Sequence, residues 1–167
     1  MPLHGRAGDA GVCRGIRGGL HPGRCRVRDC HWLRGRVRVR LTVQHVDGLR
    51  FLATVDEHAV VVDAAPEDGG GGSAPSAPRL FAAALGACIL EFVANSCRLH
   101  GIPFECLSLE LNCEELERPR RVGEVRALLC IEPEPDEATK RRLLGVARHA
   151  TLVNTLVRPP EIAIQFA

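Results

Sequence analysis

The sequence predicts an α+β fold in which an antiparallel sheet packs on one long, buried central helix. Short segments of alternating apolar and polar residues stand on both sides of a longer apolar segment, and such alternation is typical of half-buried strands. The segment from Leu80 to Leu90 contains only apolar residues and glycine, which is typical of a helix that is buried on every face. A chain of 167 residues is long enough for one domain with its own core.

The first three elements are predicted to form an antiparallel meander. Apolar and polar residues alternate over 37–44 and again over 49–55. Between them stands Asp47-Gly48, one of the strongest short signals for a hairpin turn. A third strand is predicted from His58 to Asp63, so that the three strands follow one another directly in the sheet.

The second half of the domain begins with a loop over residues 66–78, rich in Gly, Pro, Ser and Ala, for which flexibility is the simplest interpretation. The central helix is predicted over 79–100, because Gly101 provides a C-cap and Pro103 follows it. The remaining elements are strands over 104–114 and 122–132, a helix over 136–149 and a closing strand over 161–166. The predicted order is therefore β-β-β-α-β-β-α-β.

Composition divides the chain into a basic leader, residues 1–35, and a domain, residues 36–167. The leader carries seven arginines against Asp9 and Asp29, a formal charge of +5, and has no periodic apolar pattern. We expect it to be disordered or to lie upstream of the true start, and it is left out of the fold prediction. Without a signal-peptide pattern, and with no apolar run near 20 residues, we expect a cytoplasmic protein with no membrane partner.

The cysteines and the charge pattern exclude several kinds of site. The eight cysteines contain no CxxC pair, and the spacing of Cys25, Cys30 and His31 matches no zinc pattern, so we expect no metal ion. No phosphate-loop, dinucleotide or serine-hydrolase motif is present, and we expect no cofactor. The acidic domain, which has no Tyr or Trp, also argues against nucleic-acid binding.

Cys88 is the most informative residue, because a lone thiol inside an apolar helix is either a small core side chain or a protected nucleophile. The sequence around it resembles the OsmC/Ohr family. The resemblance covers residues 36–167 and depends on the order of elements, the segment Ala-Leu-Gly-Ala-Cys88 and the late segments Asn154-Thr155-Leu156 and Pro159-Pro160-Glu161-Ile162. It implies an intertwined homodimer with two long central helices and a cysteine-based organic hydroperoxide reductase.

The resemblance implies four functional positions, of which this sequence keeps one clearly. Cys88 matches the cysteine that attacks the peroxide, whereas Ala150 stands where the family has the second, resolving cysteine. No carboxylate stands between Ser73 and Leu90, where the family has an activating Glu. Val46 aligns with the family's Arg.

Nearby residues could take over the missing roles. Arg50, with His45 beside it, is a candidate for the role of the family's Arg. Glu91, three residues after Cys88, is a candidate for the role of the family's Glu. The alternative is that Glu91 is a buried carboxylate paired with an Arg. Cys97 lies on the opposite side of the same helix and cannot bridge Cys88. Whether Cys113 or Cys130 could do so depends on the arrangement of the strands.

Three late residues complete the set of candidates. His149 is either near Cys88 in a folded dimer or exposed at the end of a helix. Asn154 and Thr155 match the family's late motif, and capping or turn hydrogen bonds are their simplest role.

The sequence therefore supports three hypotheses. The first is an OsmC-like hydroperoxide reductase whose activity is attenuated or uses one cysteine, with Cys88 reset by an external thiol. Its partners would be a second copy of the chain and a small apolar hydroperoxide. The second is a non-catalytic homodimer that binds a small apolar ligand. The third is a structural relic without either activity.

Overall fold

A computed structural model describes residues 39–166, and the folded unit begins at Leu41. Four predictions concern residues outside the described range. They are the leader, the domain boundary at residue 36, the pattern of Cys25, Cys30 and His31, and the start of the first strand at residues 37 and 38. The elements are β1 (Leu41–Asp47), β2 (Arg50–Val55), β3 (His58–Asp63), a 3-10 helix (Pro66–Asp68), α1 (Ala77–His100), β4 (Cys106–Glu117), β5 (Arg120–Glu132), α2 (Glu137–Ala147) and α3 (Thr151–Val157).

The predicted meander is confirmed as a three-stranded antiparallel sheet in the order β1-β2-β3. Asp47 pairs with Arg50, so Gly48 and Leu49 form the turn between the first two strands. Gly48 has a φ of 48°, a left-handed conformation in which glycine carries no steric cost. The third strand has the predicted bounds, and its last residue, Asp63, pairs with Arg50.

The loop after β3 is held by hydrogen bonds, which differs from the flexibility expected from its composition. The buried carboxylate of Asp63 accepts from the backbone N–H of Gly71 at 3.3 Å, and from the N–H and hydroxyl of Ser73 at 2.9 and 2.8 Å. At Gly70, a Cβ atom would lie 2.0 Å from the carbonyl oxygen of Ala64. The glycines therefore permit close backbone packing around Asp63.

Helix α1 ends where Gly101 predicts, and it begins at Ala77, two residues before the predicted start. Ser76 is the N-cap residue, Pro78 stands in the first turn, and Gly101 ends the helix with a φ of 65° and donates its N–H to the carbonyl of Cys97. Within the single chain only one face of the helix is buried, so burial on every face needs cover from a second copy of the chain and stays a prediction. On other faces Phe81 and Leu99 are exposed, Leu99 by 57%.

Helix α1 is also long and apolar enough to cross a membrane by length and composition alone, whereas its uninterrupted apolar run predicts no such segment. Among the described residues it is the one helix that meets this test. The finding is weak evidence for a membrane segment, because the core helix of a soluble protein meets the same test.

The main hydrophobic core lies between α1, the β4–β5 hairpin and the last two helices. It is built on six buried side chains: Leu85, Ile89, Val93 and Cys97 of α1, Leu143 of α2, and Ala150. Leucines 107, 109 and 111 of β4 pack against it, as their alternation predicted. The second hairpin is a separate two-stranded sheet, rather than part of one continuous sheet with β1–β3.

The end of the chain differs most from the prediction. A short helix, α3, occupies residues that were not assigned to an element, and residues 161–166 form no strand. Their alternation of apolar side chains is real, but Ile162, Ile164 and Phe166 are between 79% and 105% exposed, and no strand in the described chain pairs with them. A strand needs a partner for its backbone hydrogen bonds. The observed order is β-β-β-α-β-β-α-α.

Candidate functional site

Cys88 lies in the middle of α1, half-buried against the hydrophobic core. Two buried neighbours on α1 anchor this face of the helix in the core. They are Leu85, three residues before Cys88, and Ile89, the residue after it. The thiol therefore lies at the edge of an apolar cluster, neither sealed inside it nor open to solvent.

Ala150 belongs to the same cluster and is completely buried. It is the N-cap residue of α3, and this short helix packs against α1. The residue that stands in the place of the family's resolving cysteine is thus a member of the cluster against which Cys88 packs. A methyl group there cannot react with an oxidised Cys88.

Glu91 follows Cys88 by nearly one turn of α1 and is exposed. Among the described residues it makes no hydrogen bond or ion pair, so it is not the buried, arginine-paired carboxylate that the sequence left open. It does not belong to the cluster around Cys88.

Arg50 is engaged at the first hairpin turn, where its guanidinium forms an ion pair with Asp47 at 2.5 Å. His45 lies beside it, and its ring contacts that of Phe51 edge-on. Neither Arg50 nor His45 belongs to the hydrophobic cluster around Cys88.

The late motif forms local hydrogen bonds, which agrees with the capping role expected of it. The side-chain amide of Asn154 donates to the carbonyl of His149 at 2.8 Å, and the hydroxyl of Thr155 donates to the carbonyl of Thr151 at 2.9 Å. His149 itself is exposed at the end of α2. These residues shape the turn that brings Ala150 into the core.

The structure places three other cysteines where none of them is a ready partner for Cys88. Cys97 is completely buried, and burial raises the pKa of its thiol, which makes it an unreactive core residue. Cys130 is exposed on β5, where its neighbours Leu129 and Ile131 face the core, so that its own side chain faces away. Cys113 is exposed farther along β4.

Two carboxylates of the 3-10 helix that precedes α1 were missed from the sequence. Glu67 lies 3.6 Å from Arg79, and Asp68 accepts two hydrogen bonds from Arg120, at 2.9 and 2.7 Å. The guanidinium holds the pKa of Asp68 below its usual range. No local pattern could reveal these pairs, because the second joins residues 52 positions apart.

These ion pairs border a cavity of about 870 Å³, which we call the α1 cavity. Its apolar lining includes Phe51, Val62 and Leu116, and Cys88 is not part of it. No group of three metal-ligating side chains occurs in residues 39–166. The candidate site is therefore Cys88 and its apolar surroundings, with the α1 cavity as a separate feature.

Comparison with solved structures supports the fold. A protein of Psychrobacter arcticus, provisionally named an osmotic stress-induced and detoxification response protein, is 23% identical to this chain. The two superpose with a TM-score of 0.65, over 74% of this chain and 90% of that chain. An OsmC-like protein of Mycoplasma pneumoniae is 16% identical with a TM-score of 0.65, over 72% and 88%. An organic hydroperoxide resistance protein OsmC of Legionella pneumophila is 18% identical with a TM-score of 0.59, over 74% and 91%.

At these identities the solved structures show a shared α+β fold with antiparallel strands and a long central helix. No match was found among curated protein sequences. The family model described as OsmC-like protein, however, matches residues 70–165, which is more than half of the sequence and includes Cys88. The chain belongs to the OsmC-like protein family.

Proposed function

We propose that this protein is a thiol-dependent reductase of small apolar organic hydroperoxides, in which Cys88 works without an internal resolving cysteine. The observation that carries the proposal is the position of Cys88, half-buried in a cluster where the resolving position is Ala150. Similarity to a protein named for organic hydroperoxide resistance gives the reaction class.

The reaction would proceed in two parts. The Cys88 thiolate attacks one peroxide oxygen, the O–O bond breaks, and the leaving alkoxide takes up a proton to become an alcohol. Cys88 is then a sulfenic acid. An external thiol attacks its sulfur, water leaves, and a second external thiol releases Cys88 from the mixed disulfide. Two electrons from the external thiols thus reduce the hydroperoxide to an alcohol and water.

The surroundings of Cys88 set the expected selectivity and rate. An apolar cluster favours alkyl and aryl hydroperoxides over hydrogen peroxide, because desolvating the small polar molecule is costly. Because Ala150 supplies no second thiol, each cycle of Cys88 depends on an encounter with an external thiol, so we expect slow turnover. Arg50 and Glu91 remain candidates for assisting groups only if another chain or a movement brings them to Cys88.

A second copy of the chain would cover the apolar surfaces that the single chain exposes. Phe81 and Leu99 lie uncovered on α1, and the alanines at positions 83, 84 and 87 are exposed on the same helix. Alanines allow two helices to approach closely, and the unpaired residues 161–166 could gain strand partners from another chain.

We therefore propose a cytoplasmic homodimer formed by residues 36–167, with residues 1–35 as a leader outside this domain. Sedimentation as a monomer at micromolar concentration would contradict the dimer.

The test of the activity is consumption of cumene hydroperoxide with dithiothreitol as electron donor. We expect measurable consumption by the wild type, loss of it in Cys88→Ser, and retention in Cys113→Ser, in which an exposed thiol is removed. Trapping with dimedone should label Cys88 after one equivalent of hydroperoxide. Equal rates in wild type and Cys88→Ser would exclude the reductase.

A non-catalytic protein that binds a small apolar ligand is the second candidate, and the apolar side chains packed around Cys88 favour it. In that case cumene hydroperoxide would not be consumed, whereas cumyl alcohol, its non-oxidising analogue, would still bind in calorimetry. A protein with neither activity would be the structural relic.

A further inference from the structure

The α1 cavity has the features of a second binding site, independent of Cys88. Its volume of about 870 Å³ lies within the usual size of small-molecule sites, roughly 300–1,000 Å³. Phe51, Val62 and Leu116 give it an apolar surface, contributed by three different strands. Charged side chains are present as well, and their balance indicates which kind of ligand the cavity favours.

Acidic groups outnumber basic ones around the α1 cavity. The lining includes four carboxylates and two guanidiniums, a formal charge of −2. Arg79 pairs with Glu67, and Arg120 forms a bidentate pair with Asp68. Both cations are thereby engaged.

Two carboxylates remain without a direct partner. Within residues 39–166, Glu115 and Glu117 accept no hydrogen bond and form no ion pair. They stand two positions apart on β4, so they lie on the same side of that strand. Arg120, whose main partner is Asp68, also attracts both of them electrostatically.

The start of α1 opposes this negative charge but does not cancel it. Ser76 makes no side-chain cap, so the first N–H groups of the helix are open, and a helix N-terminus acts as roughly half a positive charge. Half a charge against a formal charge of −2 leaves the cavity negative. An anion with an apolar tail is therefore disfavoured there.

We propose that the α1 cavity binds amphipathic cations, meaning a short apolar body with one protonated amine. The amine interacts with Glu115 and Glu117, and the apolar body contacts Phe51 and Val62, which are paired across β2 and β3. This site is distinct from the proposed reductase chemistry, because Cys88 does not line the cavity.

Calorimetry with three ligands of equal length tests the proposal on the full-length protein. We expect n-octylamine to bind more tightly than n-octanol, and octanoate to bind most weakly. Raising the salt concentration should reduce the advantage of the amine over the alcohol, because exposed charges are screened. This comparison needs no variant, so it does not depend on the folding of one.

Two matched double variants identify the responsible charges. Glu115→Gln with Glu117→Gln should weaken octylamine binding about three- to tenfold, as expected for two partly exposed charge contacts, and should leave octanol binding unchanged. Glu110→Gln with Glu114→Gln removes the same charge from β4 outside the cavity and should change neither. Octanoate binding as tightly as octylamine, no detectable octylamine binding, or equal effects of the two double variants would each overturn the proposal.

Discussion

Cys88 and Ala150 share one hydrophobic cluster, although 62 residues separate them in the chain. Helix α1 brings the first residue and the turn before α3 brings the second. The family's two-cysteine arrangement thus keeps its framework in this protein, with a methyl group in place of the second thiol.

Restoring that thiol should restore an internal disulfide. We expect Ala150→Cys to form a bond with Cys88 after one equivalent of cumene hydroperoxide, because both positions already lie in one cluster. Intact mass spectrometry should show the loss of two hydrogen atoms, whereas the oxidised wild type should gain oxygen. Ala150→Ser is the control, since it adds a polar atom of similar size without a thiol. A variant that gains oxygen like the wild type would mean that the two side chains do not approach closely enough.

Cys97 should matter for stability rather than for chemistry. Cys97→Ser buries a hydroxyl in the core and should lower the free energy of unfolding by about 1–3 kcal/mol in urea denaturation. Cys113→Ser changes an exposed thiol and should stay within about 0.5 kcal/mol of the wild type. Because burial raises the pKa of Cys97, iodoacetamide should label Cys113 and Cys130 first in the native protein. Rapid labelling of Cys97 would show that α1 separates from the core under native conditions.

Asp63 should make stability depend on pH in the acidic range. Hydrogen bonds from Ser73 lower its pKa in the folded protein, so its stabilising effect is complete above the unfolded value of about 3.9. That effect is lost as the pH falls through the folded value. We expect Asp63→Asn to be less stable than the wild type at pH 7 and to lose less stability below pH 4. Parallel stability curves for the two proteins would contradict this account.

Gly70 and Gly145 should respond in opposite directions to alanine. At Gly70 the new Cβ would lie 2.0 Å from the backbone carbonyl of Ala64, so the loop must move, and we expect a loss of about 1–3 kcal/mol. At Gly145, inside α2, no atom lies within 4 Å of the new Cβ, and we expect a gain of about 1 kcal/mol from helix propensity. Urea denaturation of both variants measures the difference. Equal effects would mean that the loop does not pack as closely as described.

Local chemistry explains which elements could be predicted. Each turn or cap depends on residues a few positions away in the sequence. Examples are the Asp47-Gly48 turn, the Gly101 cap and the Asp136 cap, where the Asp136 carboxylate accepts from the N–H of Thr139. Those parts of the fold followed from the sequence. The prediction of a strand over 161–166 was wrong for the single chain, because alternation marks the faces of a strand but cannot supply its partner.

In the candidate site too, some features could be predicted from neighbouring residues and others could not. Cys88 and the change to Ala150 could be identified from the sequence, since both belong to short segments with recognisable neighbours. The pairing of Asp68 with Arg120 and the fixing of the glycine loop by Asp63 could not, because they depend on contacts between distant or sharply turned segments.

The sequence by itself determined the family, the type of fold, the approximate positions of most elements and the identity of the candidate nucleophile. Only the tertiary structure decided that one face of α1 is buried and that Cys88 lies at the edge of the core. It also showed that Ala150 fills the space beside α1 and that four carboxylates border the α1 cavity. The reason is physical. Turns, caps and periodicity are properties of neighbouring residues, whereas burial and charge balance arise only when separate elements pack together.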